Sequence, residues 1–390
     1  MTGDGASSEI VLILARVGQG LGAAMASATG LSILVAAFSE GNERNRALSI
    51  FSAATGSGFA AGMILGGIMT STLGWRWVFD INVPIGVFVS LLSIKYISNS
   101  TGRTYKNKGH HLDIFGAITV TAGLMLLVYT LNSAQNIGIG SVQTLELLLI
   151  SMIVLSAFIM VEYRSKAPLM PLQILRRSSV FGANTLILLQ VAAFVAMIFI
   201  LTNYLQRVLA YSALLAGLAF VPMGIIFLAV SGFLSARFVN RFGVKPILIL
   251  GMTLQTVGYL ILSVFPLADY FGGLLLPMVI LGFGTGLGFT AINIAALTGT
   301  RRGEEGLASG LINTSRQIGG PIGLAVILTV ANLQNPSLTH NLLPSAATFG
   351  TGLDYAFLAA AMFTGFGIII ANLLKQERHH LARVVQASDS

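Results

Sequence analysis

Leu12-Ile13-Leu14-Ala15-Arg16-Val17-Gly18-Gln19-Gly20-Leu21-Gly22-Ala23-Ala24 places one arginine and one glutamine inside an apolar, glycine-rich run. With its flanks the run is long enough to cross a bilayer. A charge there costs about 2.5 kcal/mol or more, so such a residue normally faces a protein interior and serves a function. A second arginine recurs in Gly310-Leu311-Ile312-Asn313-Thr314-Ser315-Arg316-Gln317-Ile318-Gly319-Gly320. Two polar positions on two small-residue helices point to a polytopic membrane transporter.

Composition agrees. The chain has 390 residues, 55% hydrophobic and 9% charged, where a soluble domain carries about 25% charged residues. A large soluble core does not explain repeated apolar runs of about 20 residues, which match the hydrocarbon thickness of a bilayer. The absence of cysteine excludes disulfides, thiolate metal sites and thiol nucleophiles. No nucleophile–base or metal-ligand cluster is visible, so neither an enzyme nor a cofactor is expected. His110 and His111, like His379 and His380, read as solvated pairs. Gly282-Phe283-Gly284-Thr285-Gly286-Leu287-Gly288 lacks the βαβ setting of a dinucleotide loop.

Eleven spans are expected, near 10–38, 46–72, 77–98, 113–132, 143–163, 179–206, 213–236, 244–264, 270–297, 305–330 and 353–374. All should be helices, because hydrocarbon offers no partner to a free backbone group. Pro84, Pro222, Pro277 and Pro321 should kink them, and Gly58, Gly62 and Gly66, with Gly67, should form a packing stripe. Basic residues gather on alternate loops: Arg44 and Arg46; Lys95, Arg103, Lys106 and Lys108; Arg164, Lys166, Arg176 and Arg177; Arg237, Arg241 and Lys245; Arg301 and Arg302; Lys375, Arg378 and Arg383. The opposite loops hold only Arg76 and Arg207. The positive-inside rule makes the first set and the C-terminus cytoplasmic. The net charge of +8 is therefore topological, and nucleic acid is not an expected partner. With an odd number of spans the N-terminus falls outside, which suggests that preceding spans are missing. Trp75 and Trp77 suit an interfacial anchor.

In this order, several blocks resemble the fourteen-span drug:proton antiporter branch of the major facilitator superfamily. Arg16-Val17-Gly18-Gln19-Gly20 resembles its fourth span. Gly58-Phe59-Ala60-Ala61-Gly62-Met63-Ile64-Leu65-Gly66-Gly67 resembles the fifth-span antiporter motif, with Met63 where proline usually stands. Gly74-Trp75-Arg76-Trp77-Val78-Phe79-Asp80-Ile81-Asn82-Val83-Pro84-Ile85-Gly86 is similar to the stretch leading into the sixth. Leu112-Asp113-Ile114-Phe115-Gly116 resembles the start of an extra central pair, and Asn313-Thr314-Ser315-Arg316-Gln317 the thirteenth span. The resemblance implies an all-α, two-bundle transporter lacking the first three spans. Residues 1–98 would be the remainder of the N-terminal bundle, 99–178 a central linker with two extra spans, 179–374 a six-span C-terminal bundle, and 375–390 a cytoplasmic tail. A degenerate gate motif is expected at Arg237, Arg241, Gly243 and Lys245, with Asn240 in place of an aspartate.

Arg16 is expected to bond a carboxylate on a neighbouring helix and tune its proton affinity, unless it snorkels to the interface. Gln19 should share its network. Arg316, with Asn313 and Gln317 on its face, is expected to line the transport path. The acids Asp80, Asp113, Glu146 and Glu162 fall at span ends. No acid sits deep in a span, although proton exchange usually needs a desolvated one. The resemblance implies secondary active export of amphipathic or cationic organic compounds in exchange for protons, from a cell membrane, by alternating access. An uptake symporter of the same fold and a non-transporting membrane fragment or subunit are the alternatives.

Overall fold

The computed structural model describes residues 5–38, 41–74, 76–96, 113–165, 168–264, 270–298, 304–334 and 346–374. Trp75, the four paired histidines, Arg301, Arg302, the basic loop 99–112 and the tail 375–390 lie outside the described residues. Among the described residues there is no strand. The helices are α1 (Gly5–Ala37), α2 (Asn42–Thr72), α3 (Trp77–Asp80), α4 (Asn82–Tyr96), α5 (Ile114–Ile137), α6 (Val142–Arg164) and α7 (Ser178–Asn203). There follow α8 (Ala213–Ala219), α9 (Val221–Ala229), α10 (Ser235–Phe242), α11 (Val244–Val264), α12 (Leu275–Leu297), α13 (Glu305–Gln334) and α14 (Ala346–Leu373).

Ten stretches among the described residues are long and apolar enough to cross a membrane. The chain is an all-α polytopic membrane protein. The remaining expected span is α13, a continuous helix of 30 residues. Ser309, Asn313, Thr314, Ser315, Arg316 and Gln317 make its first half polar. The span expected at 213–236 is broken in two places. Pro222 opens α9 where α8 ends, and a π turn over Val230–Leu234 leads into α10. Proline at the first turn of a helix removes no intrahelical hydrogen bond, so the break falls there. Pro321, by contrast, sits within a continuous α13.

Local chemistry sets the helix ends. The Asp113 carboxylate accepts from the Gly116 N–H at 2.7 Å and starts α5. Ser141 does the same for α6, accepting from the Thr144 N–H at 3.2 Å. Such side-chain caps satisfy an otherwise unpaired helix donor. Gly243, at φ 88°, ends α10 in a left-handed conformation that costs glycine little.

Helices α7 to α14 build the densest part of the molecule, and α1 and α2 lean on it. Leu31, Val35 and Leu48 join Ala308 and Ile312 of α13 in one buried cluster. Helix α4 buries none of its residues and displays Val83, Phe88, Leu91 and Ile94, a surface suited to lipid. In lipid, helices associate through close packing of small residues rather than through hydrophobic exclusion. A Cβ added at Gly323 would come within 2.0 Å of the Ala192 carbonyl oxygen, and one at Gly319 within 2.7 Å of that of Leu188. Helices α11 and α12 meet as closely, a Cβ at Gly251 falling 2.7 Å from the Gly288 nitrogen. There the buried Gln255 donates from Nε2 to the Gly251 and Gly284 carbonyls, at 3.2 Å each.

The stripe expected at Gly58, Gly62 and Gly66 makes no such contact. A Cβ at any of the three would meet nothing within 4 Å. Helix α2 closes on the bundle through Gly56, where a Cβ would strike the Phe227 ring at 1.9 Å, and through Gly67, 3.1 Å from the Ala213 carbonyl oxygen. Buried Ser49, Ser52, Gly56 and Gly67 recur at helical spacing and define the inner face. At about 100° per residue, Gly58, Gly62 and Gly66 fall well away from that face. Gly323→Ala is therefore expected to lower stability by about 1–3 kcal/mol. Gly62→Ala should leave it unchanged or raise it by up to about 1 kcal/mol. Thermal unfolding of the two purified variants in one detergent checks both.

Candidate transport site and gate

The middle of α2 meets the bundle at a chain of rings. Gly56 rests on Phe227 of α9, and Phe227 meets Phe289 of α12 edge to face, with centroids 5.8 Å apart. The Arg316 guanidinium lies over the same Phe289 ring, 4.7 Å from its centroid. Arg316 stands about eleven residues into α13, or ~16 Å along its axis, close to half the hydrocarbon thickness. The seam between the α1–α4 segment and the bundle thus carries a cation at mid-depth.

Two amides hold that cation. Arg316 Nη1 donates to Asn313 Oδ1 at 3.2 Å, and Nη2 to Asn293 Oδ1 at 3.4 Å. Each asparagine donates its own Nδ2 to a carbonyl one turn back, Asn313 to Ser309 at 3.0 Å and Asn293 to Phe289 at 2.9 Å. Their oxygens are left facing the arginine. The Arg316 Nε is buried without a partner, and no carboxylate of the described residues pairs with the side chain. Thr290 Oγ1 and Ser309 Oγ are also buried and unpartnered, one turn from Asn293 and Asn313 respectively. Helix α13 is fixed in this register on α7, where Ser315 Oγ donates to Asn184 Oδ1 at 2.8 Å.

Arg316 and Asn313 therefore come together, while Gln317 does not join them. Gln317 is exposed, because one residue further turns a helix by about 100°. Asn293 completes the site in their place. Arg16 and Gln19 meet each other at 3.0 Å, and Arg16 lies 4.2 Å from the Phe79 ring centroid. Both are exposed, and no carboxylate of the described residues pairs with Arg16. The reason is positional: α1 is buried at Leu31 and Val35, toward its other end.

At one end of the bundle, α2 bonds to two helices. Buried Arg44 donates from Nη2 to the Leu297 carbonyl at 2.7 Å, placing a cation on the C-terminus of α12, where the helix dipole favours it. Next to it, Asn45 Nδ2 donates to Asn240 Oδ1 at 2.7 Å. Of the expected gate residues, Lys245 donates to the Asn372 and Leu374 carbonyls at 2.5 and 3.1 Å, closing α14. Gly243 ends α10, while Arg237 and Arg241 are exposed. The contacts across the seam thus come from Arg44, Asn45 and Asn240, and a bidentate Arg177–Glu304 pair at 2.5 and 3.1 Å ties α7 to the start of α13. Glu162, read as a span-end acid, is buried on α6 and accepts from the Met170 N–H.

The family model of the Major Facilitator Superfamily matches residues 2–324. The chain belongs to this superfamily. Its relatives include the cephamycin export protein CmcT of Amycolatopsis lactamdurans, 35% identical over 361 residues, which are 92% of this chain and 74% of that protein. The multidrug resistance protein Stp of Mycobacterium tuberculosis is 32% identical over 325 residues, 83% of this chain and 59% of Stp. The puromycin resistance protein of Streptomyces alboniger is 28% identical over 380 residues, 96% of this chain and 74% of that protein. This major facilitator protein is a multi-pass membrane transporter acting on small molecules, and not an enzyme.

Asn293→Leu keeps the side-chain size and removes an oxygen that faces the buried cation. It is expected to lower stability by about 1–3 kcal/mol. Arg16→Ala, on an exposed helix segment, should change it by less than about 0.5 kcal/mol. Denaturation midpoints of the two variants, measured side by side in detergent, test the contrast.

Proposed function

We propose that this transporter exports amphipathic organic compounds in exchange for protons, by rocking the α1–α4 segment against the α7–α14 bundle. The observation that carries this reading is the set of relatives, whose names record export of, or resistance to, antibiotics and drugs. In this reading residues 1–98 and 179–374 are the two moving bodies and 99–178 is the linker between them. The basic end, with Arg44, Arg177 and Lys245, is cytoplasmic, as is the C-terminus. Arg316, Asn313, Asn293 and Phe289 line the path, Gln317 lies at its exposed rim, and Arg16 with Gln19 supports coupling. Phenylalanine walls suit compounds recognised by shape and apolar area rather than by many directed bonds.

Proteoliposomes with an acidic interior in an alkaline medium separate exchange from symport, whichever way the protein inserts. Exchange predicts that a tracer compound accumulates inside, against its own gradient, as protons leave. Accumulation only under the reverse proton gradient would make the protein an uptake symporter. Arg316→Ala is expected to reduce flux by about tenfold or more. Arg16→Ala should reduce accumulation while leaving downhill flux in place.

The gate has its own test, because the chain has no cysteine. Cysteines placed at positions 45 and 240 and joined by a short reducible cross-linker should stop flux, and reduction should restore it. Full flux in the cross-linked protein would show that these helices need not separate.

A further inference from the structure

We propose that the compounds carried by this protein are organic anions, an aromatic or apolar body bearing a carboxylate or a similar acidic group, which Arg316 pairs. The proposal rests on the reading of the chain as a small-molecule exporter and names its substrate class. It goes against the cationic class that the sequence resemblance suggests.

The argument is one of unused donors. Arg316 has five N–H groups in a planar fork, and its two hydrogen bonds, at 3.2 and 3.4 Å, are long and end on neutral amide oxygens. A guanidinium bond to a carboxylate runs about 2.7–2.9 Å. Nε–H has no partner, and no carboxylate of the described residues pairs with the group. The hydroxyls of Thr290 and Ser309, both buried, are unpartnered as well. Each lies one helical turn from an asparagine that holds the arginine, Thr290 three residues before Asn293 and Ser309 four before Asn313. Among the described residues the neighbourhood therefore holds one positive charge and several free donors, with no carboxylate paired to them. A group with two acceptor oxygens and a negative charge fits that deficit, and the arginine fork matches it in shape. The edge-to-face pair Phe289 and Phe227 supplies an aromatic wall beside the charge. An ammonium compound would instead meet a like charge on that wall.

The test compares three probes of one shape: naphthaleneacetate, its neutral amide, and naphthylethylammonium. Equilibrium binding of each tritiated probe to the purified full chain is measured in detergent. The expected result is that the acid binds about tenfold or more tighter than the amide or the ammonium. Arg316→Gln should remove that preference, bringing acid binding down to the level of the amide, and Arg316→Lys should keep part of it. Equal binding of acid and amide overturns the proposal, as does a preference for the ammonium, or an acid preference that survives Arg316→Gln. Loss of all three probes in Arg316→Gln without recovery in Arg316→Lys would assign the arginine to structure alone and overturn it too. Acetate or chloride displacing naphthaleneacetate as well as unlabelled acid does would make the site one for small anions, against an organic substrate. Counterflow in proteoliposomes of the same preparation keeps the two readings apart. Counterflow of the ammonium with the acid ignored sinks the anion class and leaves export standing. Tight, Arg316-dependent acid binding without counterflow of any probe does the reverse.

Discussion

The seam between α7 and α13 sets the position of the charge at the centre of this protein. Gly319 and Gly323 bring the α13 backbone onto the carbonyls of Leu188 and Ala192, nearer than any side chain would allow. The same register lines Ser315 up with Asn184, and one residue on it sends Arg316 toward α12. Had those two positions been alanine, the helices would stand further apart. The 3.4 Å reach from Arg316 to Asn293, already at the limit of a hydrogen bond, would then fail. Backbone packing between α7 and α13 and the placing of the Arg316 charge are one constraint.

A charge near the bilayer midplane costs about 2.5–3.5 kcal/mol on insertion scales. Helix packing would be met more cheaply by methionine at that position, so stability does not explain the arginine. Its contacts make the point sharper. A carboxylate partner on a neighbouring helix would neutralise it, whereas amide oxygens and a phenylalanine face reduce the penalty and leave the charge. At an effective dielectric of about 20, two like charges ~5 Å apart repel by about 3 kcal/mol, and opposite charges attract by as much. That difference acts beside the seam with α2, and the packing of the bundle does not call for it.

The spans were legible because their signal is additive. About twenty apolar residues in a row read the same whatever they touch. Arg316 and Asn313 were legible for a related reason, since a spacing of three places two side chains together on any helix. Gln317 was misplaced by adjacency in sequence, which on a helix means separation in space. Asn293 carried no signal of its own, because its role depends on a partner 23 residues away on another helix. Arg44 read only as one of the basic residues on the alternate loops, because the α12 carbonyl it bonds lies 253 residues away in the chain. The glycine repeat was legible only in part, since Gly67 packs on α8 while Gly58, Gly62 and Gly66 meet nothing among the described residues. A four-residue repeat shows which residues share a face, and nothing in it says which face meets a neighbour.

The close contacts also differ in kind from one seam to the next. Within the bundle, α7 meets α13 and α11 meets α12 through backbone atoms, so sliding either pair would force glycine surfaces past carbonyls with no room to yield. Between α2 and the bundle, the contacts at the basic end include an arginine–carbonyl bond and an amide–amide bond. Net of water, bonds of these kinds are worth about 2–4 kcal/mol together. That lies in the range of free energies that separate alternating conformers populated at the per cent level. The α2 surface at Gly56 and Phe227 is a contact of a small residue with a ring, and it can part without stranding a buried backbone group. Further along, α2 also meets α8 through backbone, a Cβ at Gly67 falling 3.1 Å from the Ala213 carbonyl oxygen and one at Gly217 2.7 Å from that of Met63, so the seam beside Arg316 combines a separable ring contact with close small-residue packing.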